Sequence, residues 1–179
     1  MHRFRQFVRW LSLVENLLAE LAIAVLVLCG LSICADVLLR YFLGLPFIGA
    51  TELTEYALVY ITFLGASWAV PRGAHIDIDV LVTHVSENLQ KIFALISNVI
   101  AFAVAVALTV FGAWTTWTAY SRHLFKPTQL QFPTWIVLIV IPIGCFVLAL
   151  RYFVEITLTV EAIATGQPMV KRERGPTID

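Results

Sequence analysis

Few side chains in this chain have the type and spacing to do chemistry. His75, Asp77 and Asp79 alternate with Ile76, Ile78 and Val80, so an extended segment would present three metal-ligand candidates on one face. No fourth ligand accompanies them, and the spacing matches no standard site. An interfacial loop that turns its three aliphatic residues to lipid or protein accounts for the same pattern. Haem needs axial ligands inside a bundle, and His2, His75, His84 and His123 all lie outside the apolar runs or at their ends. Cys29, Cys34 and Cys145 form no C-x-x-C and have no His beside them, which reads as small membrane-buried thiols. No Ser-His-Asp, paired-carboxylate or phosphate-loop pattern occurs. The expectation is no enzyme, no cofactor, no metal site and no catalytic residue.

The remaining ionisable residues gather near the ends of apolar runs. Asp36 and Arg40 are four apart, so they share a helix face and can pair. Glu52 and Glu55 fall in the first turn of the next helix, where the macrodipole favours acids. Gly44, Pro46 and Gly49 between them are turn and breaker residues, so the two helices should form a hairpin with Asp36, Arg40, Glu52 and Glu55 on its outer rim. Such a rim is either a self-neutralising cap or a place to recruit a partner. At the other end Arg151 and Glu155 repeat the i, i+4 arrangement, with Glu20 at a similar depth and available for an interhelical contact.

Four apolar runs must position these groups: 17–39, 51–70, 92–118 and 135–160. About 20 helical residues cross a bilayer's hydrocarbon core, and backbone polar groups in lipid must be satisfied internally, so the runs should be helices. Their middles, near Leu28, Ile61, Ala105 and Phe146, carry no ionisable residue. Proton relays and ion paths place such residues at depth, so this protein is expected to work by packing against something else. The chain is 60% hydrophobic and 13% charged, far from the roughly 45–50% and 25% of soluble domains. The fold class is therefore all-α and integral to the membrane, with four spans. A single membrane domain is expected over 1–165 and a polar cytoplasmic tail over 166–179. Zero formal net charge gives no reason to expect nucleic acid as a partner.

Arg3, Arg5 and Arg9 ahead of the first run imitate a secretory signal, but the run is long and no small-x-small site follows it, so an uncleaved span is expected. The segment before it puts Arg5, Arg9, Ser12 and Asn16 on one side and Phe4, Phe7, Val8, Leu11 and Val14 largely on the other. It reads either as an amphipathic helix in the headgroup layer, contacting membrane lipids, or as a direct continuation of span one. Arg3, Arg5, Arg9, Arg72, Lys91, Lys171, Arg172 and Arg174 fall on one side of the membrane, against Arg40, Arg122 and Lys126 on the other. Eight against three places both termini in the cytoplasm. Tyr41, Trp68, Trp114, Trp117, Tyr120 and Trp135 lie near span ends, where interfacial aromatics belong. Small residues four apart (Gly65 and Ala69, Ala101 and Ala105, Ala103 and Ala107) would allow close helix approach. Pro142 should kink or loosen span four, and Pro127 and Pro133 bracket the last outer loop.

A family resemblance rests on an ordered set of these residues. Arg40-Tyr41-Phe42, Pro46, Glu52-Leu53 and Tyr56 are followed by Phe63-Leu64-Gly65-Ala66 and by Arg72-Gly73-Ala74-His75-Ile76-Asp77-Ile78-Asp79-Val80-Leu81. Pro133, Trp135 and Ile141-Pro142-Ile143-Gly144 continue it less specifically. The set resembles the small membrane subunit, DctQ-like, of tripartite ATP-independent periplasmic (TRAP) transporters, most closely over residues 36–81. The resemblance implies a bacterial or archaeal cytoplasmic (inner) membrane protein. It implies a scaffold role beside a large DctM-like membrane subunit that carries the sodium and substrate sites. A DctP-like periplasmic solute receptor would deliver an organic acid for symport. By the same analogy Arg40, Glu52, Tyr56, Arg72, His75 and Asp77 are the candidates for interface or receptor-docking roles. Two rivals stand beside it. An autonomous small homo-oligomeric transporter or channel should show an ionisable residue at midspan, and Glu20, near the cytoplasmic surface, is the sole inward-lying candidate in span one. A respiratory enzyme's membrane anchor should show haem or quinone ligands.

Overall fold

The computed structural model describes residues 2–45, 49–72, 87–126 and 131–165. Each apolar run is helical, and the helical stretches extend past the ends of the runs. Helix α1 is His2–Leu43, α2 is Ala50–Ala69 followed by a 3-10 turn at Val70–Arg72, and α3 is Glu87–Ser121. The fourth run is divided into a short α4, Thr134–Leu138, and a long α5, Val140–Thr165. Four stretches are long and apolar enough to cross a membrane. Among the described residues the sole extended pairing is an isolated bridge between Phe125 and Pro133.

The helix ends follow local chemistry. Gly44 adopts φ +67° just past α1, and Gly49 adopts φ +97° just before α2, conformations that cost glycine little. At the end of α3, His123 occupies the left-handed position with φ +49°. There the amide of Leu124 donates to the carbonyl of Ala119, and that of His123 to Tyr120, which closes a Schellman motif without glycine. The break between α4 and α5 falls at Ile139, one turn ahead of Pro142. Proline removes the N–H that the carbonyl of Leu138 would accept and crowds that carbonyl, so the helix ends there. The expected loosening is present, displaced toward the N-terminus by one turn. Within α3 the hydroxyls of Thr109, Thr115, Thr116 and Thr118 each donate to the carbonyl four residues earlier, which satisfies them without a partner helix.

The helices form an open row rather than a closed bundle. α1 packs along α2, α2 along α5, and α5 along α3. The last helix in the sequence thus sits between the second and third. Two glycines set the close contacts of α5. A Cβ on Gly144 would strike the carbonyl oxygen of Phe63 on α2, and one on Gly112 of α3 would lie 3.2 Å from Ile141 Cγ2 and 3.3 Å from Pro142 Cδ. Of the small-residue pairs, Ala105 is buried, whereas Ala103 and Ala107 are exposed and a Cβ on Gly65 would meet nothing.

The core is offset toward the inner end. Leu11, Leu18 and Ala22 of α1 meet Leu64 of α2 and Val140, Val147 and Val154 of α5, with Phe4, Val8 and Val14 packed against them. The segment before span one is therefore continuous with it. Its apolar side covers α5, and the reading of a separate helix in the headgroup layer gives way to the continuous one. Cys29 and Cys145 are buried as expected of structural thiols, whereas Cys34 is exposed on the outer part of α1.

Candidate functional site

The functional candidates lie on two rims. At the outer rim the Arg40 Nη2 donates to Asp36 Oδ2 at 2.9 Å along α1, with the Arg40 side chain 65% exposed. Glu52 is half-buried in the first turn of α2 and Glu55 is exposed. Tyr56, one turn on, is buried. Its ring meets Phe132 edge-on at 6.0 Å between centroids, and the Lys126 ammonium stands 4.8 Å from its centroid. A ring so placed gains a cation–π contact and fastens the outer loop to α2. Tyr60, the next turn inward, donates its hydroxyl to the carbonyl of Ile136 and so joins α2 to α4. Tyr56 is thus an internal pin, and Arg40 is the candidate whose charge is presented outward.

At the inner rim Arg72 lies flat on Trp68, 3.9 Å from the ring centroid. Its Nη1 donates to the Trp68 carbonyl at 3.1 Å and its Nη2 to Asn16 Oδ1 at 3.5 Å, which ties the end of α2 to α1. His75 and Asp77, along with the alternating segment that holds them, lie outside the described residues. So does the 166–179 tail.

A buried ionic cluster stands near Arg72 in the interior. Arg151 Nη2 donates to Glu155 Oε1 at 3.0 Å, and Arg151 Nη1 lies 3.7 Å from Glu15 Oε2. The Glu15 side chain is 2% exposed, so this contact between α1 and α5 is buried on its acidic side. Glu15 Oε1 and Arg151 Nε have no hydrogen-bond partner. Lys91 and Asn98 of α3 and Ser67 of α2 are also buried, so all of the spanning helices place polar groups inside this end. The interhelical partner of Arg151 is therefore Glu15, and Glu20 is exposed. The sequence does carry the signal: Glu15 follows Leu11 by four and precedes Leu18 and Ala22 by three and seven, which places it on the core stripe of α1. Glu20 is five residues from Glu15, about 140° around the helix, and leaves that stripe.

Among the described residues both rims hold helices together, and no group of three His, Cys, Asp or Glu could hold a metal ion.

The model of the family of tripartite ATP-independent periplasmic transporters, DctQ component, matches residues 29–162. The chain is 26% identical over 140 residues to the C4-dicarboxylate TRAP transporter small permease protein DctQ of Vibrio cholerae, covering 66% of this chain and 60% of that one. It is 25% identical over 123 residues to the protein of the same name from Rhodobacter capsulatus, covering 69% and 54%. A putative TRAP transporter small permease protein of Haemophilus influenzae is 26% identical over 101 residues, covering 56% and 62%. The chain thus spans little more than half the length of these curated relatives. The family is one of transporter subunits rather than enzymes, and its members reside in the inner membrane, in keeping with the four helices able to cross one. An open row of four such helices, polar at its two rims and matched by that model over most of its length, belongs to the DctQ component family of TRAP transporters.

Proposed function

We propose that this chain is the fixed small subunit of a TRAP transporter, pairing with a large membrane subunit to support sodium-coupled uptake of an organic acid that a periplasmic receptor delivers. The observation that carries the reading is the open row itself. Between Leu21 and Ala35, Tyr56 and Pro71, Ile92 and Ser121, and Thr134 and Leu150 the helices carry no Asp, Glu, Lys, Arg or His, and α1 and α3 leave most of their apolar surface uncovered. A chain so built has no site of its own for ion or substrate at depth and has wide surface to offer a neighbour.

Within this reading the rims divide the work. Arg40, with Glu52 beside the same outer loop, faces the compartment from which a receptor docks. Tyr56 and Arg72 hold the scaffold in shape. His75 and Asp77, on the cytoplasmic side by the charge count, address the large subunit and not the receptor.

Two measurements test the proposal. The tagged chain is extracted from native membranes in mild detergent, where a stoichiometric, much larger many-span protein is expected to accompany it. Reconstituted with that protein and the receptor, it is expected to support organic-acid uptake that collapses with the sodium gradient. Recovery of this chain alone as a stable homo-oligomer with uptake activity of its own would instead favour the autonomous transporter.

A further inference from the structure

The two edge helices of the row are both mostly uncovered, but by different kinds of surface. The outward side of α3 carries no charged residue or His from Ile92 to Ser121, as lipid tails require. The outward side of α1 does not meet that requirement near its inner end. Trp10, Leu13, Leu17, Glu20, Leu21 and Ala24 fall within one sector of about 100°, and all of them are exposed. Glu20 forms no hydrogen bond or ion pair with another described residue.

Depth makes this carboxylate informative. Asn16 receives Arg72, the last residue of the second stretch long and apolar enough to cross a membrane, Ala50–Arg72. Glu20 is four residues farther in, about 6 Å along the axis. Its side chain is shorter than the Lys and Arg stems that reach back to water from such depths. Lipid covering this sector would strip water from Glu20. Water covering it would leave Trp10, Leu13 and Leu17 exposed as one patch. A protein surface that is apolar around a single basic or amide donor satisfies both.

We infer that this sector of α1 is where the large membrane subunit docks, with Glu20 seated against a donor side chain of that subunit. The inference rests on the small-subunit reading above. Burial of Glu20 against a complementary charge makes the contact selective, because a partner lacking the donor leaves the carboxylate desolvated and alone.

The test co-expresses the full chain with the large membrane subunit of its own system, with a photo-crosslinking amino acid at Leu17 or, on the opposite edge, at Phe111. Crosslinks from Leu17 to the large subunit, and none from Phe111, are expected. Glu20→Arg is expected to lower the co-purified large subunit tenfold or more, and Glu20→Gln to lower it less. The Glu20→Arg chain purified alone should keep the melting temperature and monodispersity of the wild type. Leu17 crosslinks only to lipid or to a second copy of this chain, or recovery unchanged by Glu20→Arg, would overturn the inference while leaving the pairing itself intact. Wild-type chain that recovers no large subunit would remove the pairing, and this surface with it.

Discussion

The inner and outer ends of the row are held by different physics. At the inner end Glu15 is buried, with Arg151 and Glu155 part-buried beside it, so water screens these charges little and each depends on the others. At the outer end the joints are aromatic contacts and one tyrosine hydroxyl on a backbone carbonyl, beside the Asp36–Arg40 pair within α1, whose arginine is exposed. The inner end is therefore a few strongly coupled parts, and the outer end many weak ones. A row made this way is rigid where α1, α2 and α5 converge and more tolerant of change at the opposite end.

The contrast can be broken most sharply at Arg151. Arg151→Ala leaves Glu15 and Glu155 without their shared cation and is expected to cost about 3–5 kcal/mol, read from unfolding of the detergent-solubilised chain. Replacing Glu15, Arg151 and Glu155 together with Leu, Met and Leu should recover most of that loss, since a packed apolar core of similar volume stands in for an ion cluster at little cost. If the triple variant is as unstable as the single one, the cluster is more than a set of paired charges. Midway along the row, Gly144→Val forces a side chain into the Phe63 carbonyl and should cost about 1–3 kcal/mol, with α2 and α5 moved apart in distance measurements between labels on the two helices. Tyr60→Phe removes the hydroxyl on Ile136 and is expected to cost about 0.6 kcal/mol, measured in the same unfolding assay. Smallest is Asp36→Ala, which breaks an i, i+4 pair with an exposed arginine and should shift stability by about 0.3–0.5 kcal/mol. A loss at Asp36 as large as that at Arg151 would erase the distinction between the two ends.

Much of this was legible before any coordinates. The four spans are long apolar runs with clean middles, and length alone decides that they are helices. Helix ends were less readable. α1 continues to His2 because Leu11 and Val8 find α5 to pack on, which a run of hydropathy does not encode. The break in the fourth span was foreshadowed by Pro142, but its position one turn earlier comes from the carbonyl that proline disables. The outer-rim candidate Tyr56 looked like a surface residue because interfacial tyrosines usually are, and Phe132, 76 residues along, is what buries it. For Arg151, depth alone makes Glu20 an available acidic partner. Helical phase decides it in favour of Glu15, since only that residue shares the stripe of Leu11, Leu18 and Ala22.

The place of α5 between α2 and α3 has a consequence for how the chain is made. Synthesis delivers the N-terminal spans first, so α1 and α2 can close their hairpin while α3 waits in the bilayer with no neighbour to receive Gly112. Its close contacts are with Ile141 and Pro142, which are synthesised after the other three spans. A message that ends before Thr134 therefore yields a paired hairpin and a stray helix, not three quarters of the subunit. The last span is the keystone of assembly, and the cell obtains the intact row only from a ribosome that reaches it.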